Sequence, residues 1–527
     1  MRADAQARFR RFTLDRTSLA AAGLGAATVA GYAPLYLYPL SVVTLALLVW
    51  LWNRAPDARR AAALGWWFGV GLFLTGVSWV YVSLHNFGAM PAPLAALATL
   101  LFCAFLALFP ALVGYGYVRL PASAAVKLIL WLPALWTLSE WIRGWIFTGF
   151  PWLAIGYSQV PSSPLAGYAP ILGVYGLTLV TVCCAGLLVL PAERARTKHG
   201  SKAKVSAQGP TTVAVRVLAR PAPLLLVLAL GLAGYALKQV TWTSPSGPPF
   251  RATLLQGNIA QDIKWTEEGL RATLTTYHRL ARATDAKLVV FPETALPLFL
   301  HQVPSDYLES LATYAQQGGA DVLLGVPERL PSGEYYNSVV SIGTSPSQVY
   351  RKTHLVPFGE FIPLRPVLGW IVSVLAIPLQ DFSRGAPHPE PLTVAGQRVA
   401  VNICYEDAFG EEIIRQLPEA TVLVNVSNVA WFGRSIAPRQ HLQISQARAL
   451  ESGRYMLRAT NTGMTGIIDE RGGIVQVAPQ FETASVTGDV QGRTGATPYV
   501  RWGNYAVLGL AALMLLAALH LARRRRA

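Results

Sequence analysis

Charge is scarce in this sequence. Only 14% of its 527 residues are Asp, Glu, Lys or Arg, 53% are hydrophobic, and acidic residues number just 28. So little polarity over such a length excludes an ordinary soluble protein and indicates a membrane protein with room for one more domain. Cysteine is scarce too: Cys103, Cys183 and Cys184 lie inside apolar segments, and Cys404 stands apart. Neither a disulfide framework nor metal-ligand spacing can be built from these four. There is no Gly-rich phosphate loop and no tandem repeat, so the sequence offers no site for a nucleotide, metal or coenzyme, and no cofactor is expected. A cleavable leader is not expected either, since it would show one short apolar core and a small-residue cleavage site. Arg2, Arg8, Arg10, Arg11 and Arg16 precede an apolar run that continues, after a Pro-Leu-Tyr break, to about Trp52, and this reads as a tight pair of spans.

What is present in quantity is apolar runs long enough to cross hydrocarbon. After the first pair they fall near 62–84, 91–117, 124–146, 166–191 and 218–238, with a last one at 503–522, giving eight expected spans. The excess of 44 Lys+Arg over 28 Asp+Glu, a net +16, suggests nucleic acid at first sight, but much of it clusters beside these runs. Membrane topology accounts for it better, and no nucleic-acid partner is expected. Arg54, Arg59 and Arg60 follow the second run, Arg119 and Lys127 the fourth, Arg194, Arg196, Lys198, Lys202 and Lys204 the sixth, and Arg523 to Arg526 the eighth. The intervening loops carry almost no Lys or Arg. Both termini are therefore expected in the cytoplasm, and the segment between the seventh and eighth runs outside it. The expected organisation is a transmembrane domain over 1–240, an extracytoplasmic domain over 245–495, a closing helix at 503–522 and a basic tail at 523–527.

The segment 245–495 reads as an α/β domain. Strand-like runs occur at 250–256, 287–292, 321–326, 337–342, 398–404, 421–427, 454–460, 464–468 and 473–477. Helical periodicity appears at 268–284, through Leu270, Leu274, Tyr277, Leu280 and Ala281, and at 305–317, through Leu308, Leu311, Ala312 and Ala315. Stacked sheets flanked by helices are the expected result.

Three apolar runs in this segment end on side chains able to do chemistry. Leu288 to Pro292 ends on Glu293, Val349 to Arg351 on Lys352, and Val399 to Ile403 on Cys404, itself followed by Tyr405, Glu406 and Asp407. Each has a bland reading: a buried cysteine is usually a small hydrophobe, a glutamate an ion-pair partner, a lysine a solvated loop residue. Together they form a coherent set for acyl transfer, with a thiol nucleophile, a carboxylate base and an ammonium to steady an oxyanion. His354 reads as a hydrogen-bonded structural residue, since the glutamate already fills the role of base. The apolar stretch 361–379 is too short to span; it is either a core helix or an arm dipping into the bilayer, and its place between Lys352 and Cys404 favours the arm.

Phe291-Pro292-Glu293, Lys352 with Pro357-Phe358-Gly359-Glu360, and Cys404-Tyr405-Glu406 resemble the Glu-Lys-Cys motifs of the nitrilase (carbon-nitrogen hydrolase) superfamily. Joined to leading and trailing spans, they resemble the apolipoprotein N-acyltransferase family. So do Glu140 to Gly144, Thr148 to Trp152, Trp431 to Ser435 and Thr497 to Tyr499. One departure is that Asn428 is followed by Val429, where that family usually has Asp. The resemblance implies an αββα domain with Glu293 as base, Lys352 as oxyanion stabiliser and Cys404 as nucleophile, supported by Trp265, Glu360, Tyr405, Glu406 and Trp431. It implies a phospholipid acyl donor, a diacylglyceryl-modified apolipoprotein acceptor, and a monomer in the bacterial inner membrane with a periplasmic active site. A membrane-tethered nitrilase-type amidase is the alternative, but a small soluble substrate needs neither eight spans nor an apolar arm. A transporter with a ligand-binding outer domain is a further rival, which ionisable groups inside the spans would favour.

Overall fold

The computed structural model describes residues 15–199, 221–362 and 381–525. The expected arm at 361–379 lies outside the described residues from position 363 onward. The chain forms two compact units, one of Met1–Ser78, Ala96–Val240 and Asn504–Ala527, the other of Trp79–Ala95 and Thr241–Gly503.

The first unit is helical. Among the described residues, six helices are long and apolar enough to cross a membrane: Ala58–Val77, Ala92–Arg119, Ala124–Arg143, Pro164–Arg196, Pro221–Gln239 and Tyr505–Arg524. The expected first pair is instead two shorter helices, Arg16–Thr28 and Tyr38–Trp52. At 1.5 Å per residue the second is about 22 Å long, short of a hydrocarbon core of about 30 Å. Small residues let backbones meet. A Cβ on Gly25 would lie 1.9 Å from the Phe68 carbonyl and one on Gly71 1.9 Å from that of Ala22, so helices Arg16–Thr28 and Ala58–Val77 cross at bare backbone. The ionisable residues of the fifth run are consumed internally. Glu140 accepts from Trp136 Nε1 (2.9 Å), Ile155 N (3.0 Å) and Thr178 Oγ1 (2.7 Å), and Arg143 Nη1 donates to the carbonyls of Phe150 and Trp152. They pin the 150–155 loop, which removes the motive for reading them as a transport pathway.

The second unit stacks two six-stranded sheets. The first runs, in spatial order, Ala484–Val490, Phe250–Gln256, Leu288–Val290, Asp321–Arg329, Tyr335–Gly343, Val349–Arg351; the second runs Ile474–Val477, Gly466–Ile468, Met456–Thr460, Val422–Ser427, Gln397–Ile403, Leu392–Val394. Alternation along each strand divides its residues between faces. Leu254, Val290, Leu323, Val399, Val401, Ile403 and Val424 fill the layer between the sheets. Leu255, Val289, Phe291 and Leu324 turn the other way, against Tyr277, Leu280 and Ala281 of helix Glu267–Arg282 and Leu311 and Ala315 of helix Ser305–Gly318. Ala400 and Leu423 meet Leu442 and Ala449 of helix Ala437–Ser452 on the far side. The result is helix, sheet, sheet, helix.

This unit also takes in Trp79–Ala95, a segment expected to belong with the N-terminal helices. The Trp79 ring packs edge-on to Phe432 at 4.7 Å, Phe87 meets Trp431 at 6.2 Å, and Ser83 Oγ donates to the Trp431 carbonyl (2.8 Å).

Candidate active site

The three candidate residues all follow the carboxyl ends of strands. Leu288–Val290 and Asp321–Arg329 are parallel, and Val349–Arg351 is antiparallel to a strand that is itself antiparallel to Asp321–Arg329. Glu293 and Lys352 therefore emerge at the same end of the first sheet. Cys404 closes Gln397–Ile403 in the second sheet, beside the parallel strand Val422–Ser427. Each loop contains a non-glycine residue in the left-handed region: Thr294 (φ 45°), Phe358 (φ 60°) and Cys404 itself (φ 56°). Such strain persists only where surroundings impose it, and it gathers where side chains must be aimed. The approach at Glu293 is close: a Cβ on Gly325 would sit 2.1 Å from the Pro292 carbonyl oxygen and 2.9 Å from Glu293 Cα.

Lys352 is the hub, with a side chain 1% exposed. Its Nζ lies 2.8 Å from Glu360 Oε1 and 3.7 Å from Glu293 Oε1. Burial works against its charge, but Glu360 and Glu293 outweigh burial and hold the ammonium above the usual lysine range. Asn337 Nδ2 bridges the two carboxylates, at 2.8 Å from Glu293 and 3.2 Å from Glu360. The second oxygen of Glu293 accepts from the Asn428 backbone N–H (2.7 Å), and that of Glu360 from Val356 N–H (2.9 Å). Burial, then the nearby Glu293, pushes the Cys404 thiol well above the ordinary thiol range, while Lys352 pulls it back. At rest Cys404 is a neutral thiol within electrostatic reach of a carboxylate and an ammonium.

Glu406 lies within electrostatic reach of Lys352, but its hydrogen bonds make it a joint. Oε1 accepts from Thr353 N–H (2.7 Å), Thr353 Oγ1 (3.0 Å) and His354 N–H (2.9 Å), while Oε2 accepts from Ile403 N–H (2.6 Å) and Tyr350 OH (2.8 Å). It thereby ties the residues just after Lys352 to the residue just before Cys404. Tyr405 packs edge-on to Phe409 at 5.1 Å, and His354 stacks on Phe409 at 3.7 Å while meeting Glu412 (3.0 Å), a structural placement. Trp265 and Trp431 are 60% and 40% exposed, and among the described residues no hydrogen bond or ring contact joins Trp265 to Glu293, Lys352 or Cys404. With Ile263 and Phe358, also exposed, these tryptophans are large apolar groups left open among the described residues.

Residues 24–187 match the family described as apolipoprotein N-acyltransferase N-terminal domain, and residues 251–499 match carbon-nitrogen hydrolase. The chain is 54% identical to the apolipoprotein N-acyltransferase of Nitrosomonas europaea over 95% of its own length and 96% of that protein's. It is 46% identical to that of Chromobacterium violaceum (96% and 94% covered) and 40% identical to that of Pseudomonas aeruginosa (95% and 95%). The chain belongs to the apolipoprotein N-acyltransferase family. Val429, which follows Asn428, is 1% exposed. The Asn428 N–H and Asn337 serve Glu293 without any carboxylate at 429.

Sequence reasoning missed Asn337, whose only signal is one amide within the strand Tyr335–Gly343. It also missed Lys264, 2% exposed beside Trp265 in sequence, whose ammonium burial lowers to about 8 while Glu293 acts in the other direction.

Proposed function

We propose that the chain moves an acyl group from a membrane phospholipid to the α-amine of the S-diacylglyceryl cysteine that begins an apolipoprotein, through a thioester on Cys404. Family membership makes it an N-acyltransferase of lipoprotein maturation. The observation that carries the cysteine mechanism is the single hydrogen-bonded and ionic cluster that Glu293, Lys352 and Glu360 form at the strand ends, electrostatically coupled to a thiol on a strained turn. A half-buried neutral thiol needs a base at the moment of attack. Sγ bonds to the ester carbonyl carbon as its proton passes to Glu293, and Lys352 faces the oxyanion that develops. Collapse expels the lysophospholipid, whose alkoxide oxygen takes the proton back. The amine then attacks the thioester, and the thiol re-forms. Glu360 fixes Lys352, Glu406 fixes the two loops against one another, and exposed Trp265 and Trp431 flank the route for acyl chains.

In this reading the chain is a monomer with eight membrane crossings, the short helices Arg16–Thr28 and Tyr38–Trp52 counted as the first pair, both termini in the cytoplasm and the second unit in the periplasm; the basic loops support that orientation. Incubating the protein with phospholipid alone tests the thioester. The Cys404 peptide gains one acyl mass, removable by neutral hydroxylamine, and lysophospholipid appears in a burst. Transfer that survives Cys404→Ala sinks the mechanism.

A further inference from the structure

Behind Cys404 lies a buried polar cluster that the mechanism above does not use: Asp407, Asn425, His441, Ser445 and Arg458, each no more than 1% exposed. Two of its members converge on one atom. The Cys404 carbonyl oxygen lies 3.1 Å from Asn425 Nδ2 and 3.2 Å from His441 Nε2. We propose that His441 is a positioning residue for the nucleophile, acting with Asn425 on that carbonyl to lock the left-handed turn that presents the thiol. The proposal rests on the reading of Cys404 as the residue acylated.

The donors are oriented by the rest of the cluster. His441 Nε2 also lies 2.7 Å from Asp407 Oδ1, so it faces two acceptors and must carry the hydrogen. Asp407 is fixed in turn at its other oxygen by Ser445 Oγ (2.6 Å) and Arg458 Nη1 (3.0 Å). Arg458 Nη1 donates to Asn425 Oδ1 as well (2.6 Å), as does Ser427 Oγ (2.7 Å), which turns the Asn425 amide nitrogen towards the Cys404 carbonyl and Asn402 Oδ1 (2.6 Å). Asp407 thus selects the tautomer of His441, and Arg458 selects the orientation of Asn425. Both selections end on the peptide group that sets φ +56° at a residue with a Cβ. A side chain in that conformation relaxes if the carbonyl is released, and a nucleophile displaced by a fraction of an ångström loses its alignment with both the donor ester and Lys352.

Cys404 is faced by Glu293, Lys352, Glu360 and Arg458, so its titration reports its place among them. The test uses the full chain in detergent micelles. Acyl transfer from phospholipid is followed beside the rate of Cys404 alkylation by iodoacetamide across pH, located by mass spectrometry. In His441→Ala, kcat falls about tenfold with KM nearly unchanged, the scale of one lost hydrogen bond. The pH midpoint of alkylation also falls, because burial is the main influence holding the thiol up and a loosened turn admits water. His441→Gln, whose Nε2–H reaches the same carbonyl, restores most of both. A role confined to stability predicts otherwise: an unchanged alkylation profile, with activity falling only as far as the folded fraction does, overturns the proposal. If His441→Ala fails to fold, Asn425→Leu decides, since it keeps size and adds no charge but offers the carbonyl no donor. A lowered midpoint and kcat support the proposal there, and a wild-type profile overturns it. If wild-type Cys404 takes no acyl mass from phospholipid, the thioester reading fails, while the alkylation comparison still decides the role of His441.

Discussion

Lys264 shows how a single buried charge writes itself into the pH behaviour of the protein. An ordinary lysine titrates near 10.5, but burial brings this one to about 8. The unfolded chain therefore holds its proton up to 10.5, whereas the folded chain releases it near 8, so folding expels a proton between those values. Stability rises with pH across that window and is insensitive to this group below it. Below pH 8 the charged form costs the fold about 3 kcal/mol, at about 1.4 kcal/mol for each tenfold loss of proton affinity. Lys264→Met removes this dependence. Thermal unfolding midpoints in detergent are expected to show the variant ahead of wild type at pH 7, with the gap closing as pH rises from 8 to 10.5. A constant gap over that range refutes the assignment. The same substitution leaves Glu293 with one cation fewer, so its acylation rate measures what the second lysine adds to the first.

Glu406 acts between elements. One carboxylate accepts from both the Lys352 loop and the end of the Cys404 strand, and every group facing it is a donor. Glu406→Gln keeps the shape but turns a donor towards donors, in a place that is 1% exposed. The expected loss is on the order of 3 kcal/mol of stability, with a fall in acylation larger than the folded fraction explains because two loops lose their common anchor. Thermal midpoint and acylation rate measured together separate the two losses. Strand ends of this kind were legible in the sequence: 250–256 matches its observed strand residue for residue, and 398–404 is offset by one position. In each case an apolar run stops at a polar residue. The helix Ala437–Ser452 was not legible, because it is buried everywhere but at Arg439 while carrying Gln440, His441, Gln443, Gln446, Arg448 and Glu451. With polar groups satisfied inside the fold, no apolar face betrays its period. Ala484–Val490 was missed for the opposite reason: it is an edge strand with Thr487 and Gly488 half exposed and Asp489 exposed, too mixed to alternate. Within the site, Glu293, Lys352 and Cys404 stood out because each closes an apolar run. Asn337 and His441 take their meaning from partners 44 and 37 residues away.

At the scale of the molecule, the basic loops make a prediction independent of any side-chain geometry. A reporter active only outside the cytoplasm is expected to be active when fused after Ser246 and silent when fused after Lys202. The reverse pattern overturns the proposed orientation.

The discontinuity of the second unit has a consequence for how the protein is made. Trp79–Ala95 leaves the ribosome well before Trp431 and Phe432, the residues it packs against, with the whole of 96–240 synthesised first. At about 5–20 residues per second, those intervening residues alone impose a wait of roughly seven to thirty seconds. Throughout it, Trp79 and Phe87 await the Phe432 and Trp431 rings. The late-made sheets, for their part, cannot complete the surface at Phe432 until a strip of chain made long before is brought to them. Final maturation of the unit is thus a docking event between the early and late parts of a single translation product, and it cannot begin until the later part exists.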